Sequence, residues 1–449
     1  MKKTMRFLSM AALALVGAVM TGCSGDDNII DTPQQPENKS KVVTLTTTVS
    51  MDGGATTRAL TATGVKTFAT GDQIALIYTK NGGTVTKVES EPLPAGDYGK
   101  TATFTFTLDD PDRNQNVTYI YPAAMAGATD VDYTNLNSQE GTLTDLGSKY
   151  DLATYTGAWS AGNLPTATLE NQLAILAITL KDVDGTNGLN STTTGLTIEQ
   201  GTNTYTVTRS GASDPIYVAI RPITSPANIS ITATAGTKNY IKFLTGKTYA
   251  INNGYNVSWK MATVGDVILH DGTLAKAGTT GAVATIFYVG SETAEEAYGF
   301  NHGLALAMSD AYSGKWATVA SNAHPGQQHS VSSIAKESGL QWNSQQNNDT
   351  YPAVKYAILN NSISKPTGDF YSDWFLPTAY QWNLMMGAVG GHVNLRASAD
   401  LDYTPATGYY WSSTESSSAL ALRYYFGDGN WSSNDKVNNT YHVRSCLAF

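Results

Sequence analysis

Cysteine is nearly absent: 449 residues contain two, Cys23 and Cys446. An internal disulfide would need both, and if Cys23 serves another purpose the fold rests on its core and its sheets alone, even in an oxidising compartment. Positive charge is also short. Lys and Arg number 28 against 37 Asp and Glu, giving a net charge of −9 and a pI near 5.1. That balance excludes nucleic acid as a partner, because neutralising phosphates takes clustered Lys and Arg. It excludes charge-driven adhesion to anionic lipid for the same reason. No stretch of the chain has the about 20 apolar residues of a spanning helix. Long helical periodicity is missing from the first 261 residues. What is abundant is hydrophobic matter at 41% of residues, enough for packed cores.

The first residues carry the most specific pattern. Lys2, Lys3 and Arg6 precede an apolar run from Phe7 to Met20, which has the length and flanks of a secretory signal. Met20-Thr21-Gly22-Cys23 then resembles a bacterial lipobox, with Met in place of the usual Leu. The resemblance implies lipidation at Cys23, an export signal over residues 1–22 and attachment to an outer membrane. Each buried CH₂ of an acyl chain contributes about 0.8 kcal/mol, so several chains hold firmly where one holds weakly. Ser24-Gly25-Asp26-Asp27 resembles the acidic export tag of Bacteroides surface lipoproteins. Residues 23–40 read as a polar tether with Pro33 and Pro36 and no aromatic residue.

From there to about residue 262 the pattern is β. Ala102, Phe104, Phe106 and Leu108 alternate with Thr, the period of a half-buried strand. Turn signals such as Asn81-Gly82-Gly83 and Asn252-Asn253-Gly254 separate such runs, which predicts short strands in sandwiches or barrels. At roughly 150 residues per domain the whole chain suggests two to three domains. We place two β-domains at 41–158 and 159–262, the second entered through the continuous apolar run Leu173 to Leu180, which predicts a strand buried on both faces. All six His and six of the eight Trp follow residue 262. There the pattern predicts helices over 302–312, 350–360 and 378–389 and strands over 283–289, 420–426 and 441–449. The helix at 378 opens with Thr378 and Gln381, a capping box. Residues 263–449 are thus an α+β domain, with Trp374, Trp382 and Trp411 as core. Cys446, in an alternating apolar stretch, reads as a small core residue and not as a reactive thiol.

Chemistry-bearing motifs are few. Gly246-Lys247-Thr248 lacks the Gly that a phosphate loop needs at position 241, where Ile241 stands. Asp110, Asp112 and Asn114 imitate a calcium loop, but Gln115 and Tyr121 occupy its Gly and Glu positions. His324 and His329 read as surface residues, and we expect no metal and no cofactor. A hydrolase would need a carboxylate pair, and spatial pairing is not visible in sequence; no catalytic residue is assigned. The best ligand-binding candidate is the segment 427–435, expected as a loop, where Asp428, Asn430, Trp431, Asn434 and Asp435 offer an aromatic face beside planar polar groups. A sugar ring would take both. The alternative is a hairpin whose Trp431 packs on the fold.

The β-region also resembles the fimbrillins, subunits of Bacteroidetes type V pili. The carriers are Ala55-Thr56-Thr57-Arg58-Ala59, Phe68-Ala69-Thr70-Gly71-Asp72-Gln73-Ile74, Tyr119-Ile120-Tyr121-Pro122, Leu169-Glu170-Asn171-Gln172-Leu173-Ala174 and Phe243-Leu244-Thr245-Gly246-Lys247-Thr248-Tyr249. Their order and spacing matter more than any one of them. The last domain resembles a C-type-lectin-like module through Asp266, His270-Asp271-Gly272-Thr273, Phe287-Tyr288-Val289-Gly290, Trp374-Phe375-Leu376-Pro377-Thr378, Tyr410-Trp411-Ser412-Ser413-Thr414-Glu415 and the terminal Val443 to Phe449. It lacks the contiguous Trp-Asn-Asp and Glu-Pro-Asn of calcium-dependent lectins. Formylglycine-generating relatives of that fold need paired Cys, and only Cys446 is present.

The resemblance implies two fimbrillin-like β-sandwich domains followed by a lectin-like α+β domain. It implies proteolysis after Arg58, before Ala59, removing the first strand at 42–50 and severing Cys23. A strand from the adjacent pilus subunit would then fill the groove, with backbone hydrogen bonds giving affinity and alternate side chains giving register. Shaft subunits of the family donate a strand from a C-terminal extension. This chain runs to Leu447-Ala448-Phe449 inside its last domain, which implies a non-catalytic tip subunit presenting that domain to a host or bacterial glycan or protein. The alternatives are an anchor or accessory fimbrillin, or a cell-surface lipoprotein that binds its ligand without pilus assembly. Arg58 could also be an ordinary loop residue.

Overall fold

The computed structural model describes residues 41–51, 67–212, 214–323 and 327–449. Residues 1–40, read above as an export signal and a polar tether, fall outside them. Val42–Phe449 forms one compact unit and is mainly β, as the alternation implies.

Its first strands are β1 (Val42–Met51), β2 (Ala75–Thr79), β3 (Val85–Glu89), β4 (Thr101–Asp109), β5 (Val117–Tyr121), β6 (Ser138–Gln139), β7 (Ala153–Gly157) and β8 (Ala167–Asn171). All but β6 join a seven-stranded sheet in the order β3-β2-β5-β7-β8-β1-β4. The sheet folds over on itself, so that Phe106 of β4 stacks on Tyr119 of β5 at 6.2 Å across a shared core. Phe104, Phe106 and Leu108 are wholly buried. The intervening Thr residues face outward, and that division is what the alternation encoded.

Next come β9 (Ala174–Asp182), β10 (Thr193–Gln200), β11 (Asn203–Thr208), β12 (Ile216–Ile220), β13 (Ile223–Ala235), β14 (Lys238–Tyr249) and β15 (Asn253–Thr263). With β6 they form an eight-stranded sheet ordered β12-β9-β15-β14-β13-β10-β11-β6. The boundary at 158/159 falls between β7 and β8, both strands of the first sheet, while β6 crosses over to the second. Composition could not reveal this, because both sheets draw on the same Thr-rich strand vocabulary. The run from Leu173 to Leu180 is fully buried on one face only; Ile175, Ala177 and Thr179 are half-buried on the other.

The last region holds β16 (Val267–Leu269), β17 (Leu274–Ala275), β18 (Ala282–Val289), β19 (Gly303–Ala307), β20 (Tyr312–Gly314), α1 (Pro352–Leu359), α2 (Ala379–Ala388) and α3 (His392–Ser398). It ends with β21 (Tyr409–Glu415), β22 (Leu420–Tyr425), β23 (Asn430–Asp435), β24 (Tyr441–Val443) and β25 (Cys446–Ala448). Two five-stranded sheets result, β17-β16-β18-β19-β25 and β20-β24-β21-β22-β23. The capping box is present: Gln381 N donates to Thr378 Oγ1 at 3.2 Å, and Thr378 N donates to Gln381 Oε1 at 2.9 Å. The helix expected over 302–312 is instead the strand β19. All five of its residues are buried, and a strand covered on both faces loses the alternation that would separate it from a helix. Trp316, Trp382 and Trp411 are wholly buried, and Trp316 and Trp411 each donate their ring N–H to a backbone carbonyl.

Candidate functional site

A strand that is to be exchanged must sit where another strand could replace it. β1 runs antiparallel to β4 over nine residue pairs, Val42↔Asp109 to Ser50↔Thr101, with an unbroken register. Its other edge pairs in parallel with β8 over only three, Val49↔Ala167 to Met51↔Leu169. Val49 and Met51 point into the core and are buried, Thr47 donates to the Pro165 carbonyl at 2.6 Å, and Val43 and Leu45 are half-buried on the same face. Thr44, Thr46 and Thr48 face outward and are exposed. The slot around β1 is therefore specified on both counts that strand addition requires, a ladder of backbone partners and pockets for alternate side chains.

Cys23, Arg58, Ala59 and His324 lie outside the described residues. The ligand-binding candidates are placed. Segment 427–435, expected as a loop, is a turn at Asp428-Gly429 followed by β23, the edge strand paired along its length with β22. Polar residues fill β23 at a sheet edge, so no apolar alternation marks it as a strand. Trp431 lies over Tyr424 with ring centroids 4.9 Å apart and donates its ring N–H to Asn383 Oδ1 at 2.9 Å. Its ring is half-buried against the core that holds Trp382 and Phe426. Asp428 Oδ1 accepts from Asn430 N, and Asp435 accepts the backbone N–H groups of Val437 and Asn438, so both carboxylates hold turns. The Asn434 side-chain amide lies 2.7 Å from Arg423 Nε, which fits the amide orientation that turns its oxygen to the guanidinium. The five side chains share one hairpin.

Sequence reasoning missed three charged clusters of the last region. Lys436 and Glu415 form an ion pair with both side chains fully buried, and Lys436 also lies 4.7 Å from the centre of the Trp316 ring. Burial pulls the Lys436 ammonium below its ordinary range, against the pull of Glu415. Nearby, His329 is no free surface residue: its Nε2 meets Glu337 Oε1 at 2.7 Å. In the second cluster Asp310 receives His442 Nδ1 at 2.7 Å and Arg444 Nε at 2.6 Å, while His442 Nε2 faces Asp402 Oδ2 at 3.3 Å. The third is Glu295, fully buried and held by Ser338, by Gly339 N at 2.8 Å and by Gln381 Nε2 at 2.7 Å. Each draws partners from segments far apart in the chain, so spacing carried no trace of them. Cys446 is buried in β25, and burial pushes its thiol well up. Among the described residues no group of His, Cys, Asp and Glu has the arrangement of a metal site.

No family model matches the chain, and no curated protein does. Solved structures similar to it include a fimbrial protein from Bacteroides ovatus, at 14% identity and TM-score 0.31, covering 92% of this chain and 100% of that one. A candidate cell adhesion protein from the same species matches at 10% identity and TM-score 0.29, over 48% of this chain and 94% of that one. Another, from Bacteroides uniformis, matches at 14% and 0.27, over 51% and 98%. Scores this low carry neither family nor function to this chain.

Proposed function

We propose that this protein is a surface-exposed, non-catalytic pilus subunit that accepts a strand from its neighbour and carries an adhesive C-terminal region at the filament tip. One observation supports it above the others: β1 is a complete, register-specified strand on the N-terminal side of Arg58, bound along one edge and only briefly along the other. Cleavage after Arg58 would free this strand and leave a slot bounded by β4 and β8. At the other end, β25 is hydrogen-bonded to β19 and Phe449 is buried, so these residues are committed to their own sheet and offer no strand to a neighbour. Lipidation at Cys23 would hold the precursor at the outer membrane until the cut.

The test is N-terminal sequencing and intact-mass measurement of the protein recovered from the cell surface, with immunogold labelling by antibody against residues 263–449. A mature chain starting at Ala59 and gold at filament ends are expected. A mature chain that keeps an acylated Cys23, with gold spread over the outer membrane, would replace this reading by a lipid-anchored binding or accessory protein.

A further inference from the structure

The outer face of the eight-stranded sheet carries an ordered array of hydroxyls. Thr206, Thr197 and Thr232 stand side by side across β11, β10 and β13, since Thr197 is the register partner of both others. In the next row Thr208 and Thr234 flank Gly195. In the row on the other side Thr204 and Ser230 flank Glu199. Neighbouring strands lie about 4.8 Å apart, so the polar groups repeat across the face at that interval.

An uncovered face of this kind would only be hydrated. Here residues of the last region stand beside it. Val289, Gly290, Ser291, Asn301 and His302 join the sheet residues in lining an open cleft of about 320 Å³. Two contacts tie these residues to the sheet. Asn239 Nδ2 donates to the Val289 carbonyl at 3.1 Å, and His302 Nε2 meets Glu199 Oε2 at 3.2 Å. Beyond that ion pair a second hollow of about 210 Å³ continues past Asn228 and Asp369 to the ring of Phe370, which stacks on Phe243 at 4.4 Å.

The lining selects the ligand. Neither hollow is lined by Lys or Arg, and Glu199 contributes a carboxylate to both, so phosphate and sulfate groups are disfavoured. An apolar tail would strand the floor's hydroxyls without partners, which costs free energy. A neutral, polyhydroxylated ring matches hydroxyls that both donate and accept, amides at Asn239 and Asn301, and a carboxylate. Binding clefts run from roughly 300 to 1,000 Å³, and the volume here is at the small end, the room of one or two sugar rings. Gly195 fits the role of floor: a Cβ there would meet nothing within 4 Å, so the space above it is open.

We propose that this cleft, between the second sheet and the last region, binds a neutral mono- or disaccharide, with Glu199, Thr197 and Thr232 as floor contacts. The inference rests on the cleft alone and holds whether or not the chain joins a filament. It also moves the sugar site away from the hairpin of Trp431.

The test is saturation-transfer NMR and calorimetry on residues 42–449 with galactose, N-acetylglucosamine, lactose and maltose, and with glucose 6-phosphate for comparison. At least one neutral sugar should bind and the phosphate should not. Gly195→Leu, which plugs the open floor, should weaken binding at least about tenfold with its Tm unchanged, and Glu199→Gln should weaken it less. Trp431→Ala should leave it unaltered. Absence of binding by all four sugars at millimolar concentration, binding that survives Gly195→Leu, or binding lost in Trp431→Ala would each overturn the proposal.

Discussion

Gln139 uses its side-chain amide as a surrogate strand for Ala219: Ala219 N donates to Oε1 at 2.9 Å, and Nε2 donates to the Ala219 carbonyl at 2.7 Å. Its neighbour Ser138 pairs with Thr206 of β11, and Tyr217 N donates to the Gly141 carbonyl, so one short segment seals both edges of the eight-stranded sheet. Open edges invite pairing with other chains. Gln139 is buried, and Gln139→Ala would leave two backbone groups of Ala219 without partners at about 1–3 kcal/mol each. Urea unfolding should show a loss of roughly 2–4 kcal/mol. A loss below about 0.5 kcal/mol would mean that the backbone contact at Gly141 seals the edge unaided.

Gln381 has two tasks at once. Its Oε1 accepts the Thr378 N–H of the capping box while its Nε2 donates to Glu295 Oε1. Burial pushes the Glu295 carboxyl up, and the donors around it pull the other way. Thr378→Ala removes the Oγ1 cap and should cost about 1 kcal/mol. Gln381→Ala removes a cap bond and one support of a buried carboxylate, so it should cost more, about 2–4 kcal/mol. Equal losses in thermal unfolding would show that the Glu295 contact contributes nothing.

The capping box was legible because Thr378 and Gln381 are three residues apart; Glu295 was not, being 86 residues from Gln381. The same division runs through the molecule. The alternation in β4 told which residues enter the core, and it does so in the structure. It could not tell that β6 leaves the first region for the second sheet, since two residues have no period. Nor could it tell that Gly303 to Ala307 is a strand, because complete burial erases the contrast. The hydroxyl floor of the cleft consists of Thr residues that in sequence only mark strands. Register alone puts them in rows.

His442 sits between Asp310 and Asp402 and stacks on Tyr410 at 4.9 Å. The bond to Asp310 raises its folded-state pKa, outweighing burial. Asp402 is lowered to about 2, held down by Thr407 and Thr404 hydroxyls against its own burial. A raised histidine stabilises the fold fully below its unfolded value of about 6.5, and that contribution fades as pH climbs through the folded value. His442→Gln should therefore lower Tm most below about pH 6.5 and progressively less as pH rises through the raised folded-state value. A pH-independent difference in Tm would assign the residue a packing role only.

Removing β1 takes away the nine residues it pairs with β4 and uncovers the places of Val49 and Met51. Each of those side chains contributes about 1.5–3 kcal/mol by burial. A chain starting at Ala59 should thus unfold at lower temperature than one starting at Lys41. Adding the ten-residue peptide Val42 to Met51 in trans should restore the difference, since the slot retains the β4 ladder and the pockets of alternate residues. A peptide with Val49→Asp should fail, because an unpaired carboxylate would enter a wholly buried position. Shifting the peptide's sequence by one residue should fail too, since that turns Thr44, Thr46 and Thr48 toward the core in place of Leu45, Thr47 and Val49. Rescue by all three peptides alike would mean that the slot accepts any extended chain. Absence of destabilisation in the truncated chain would mean that the first sheet closes without β1 and leaves no slot for a neighbour's strand.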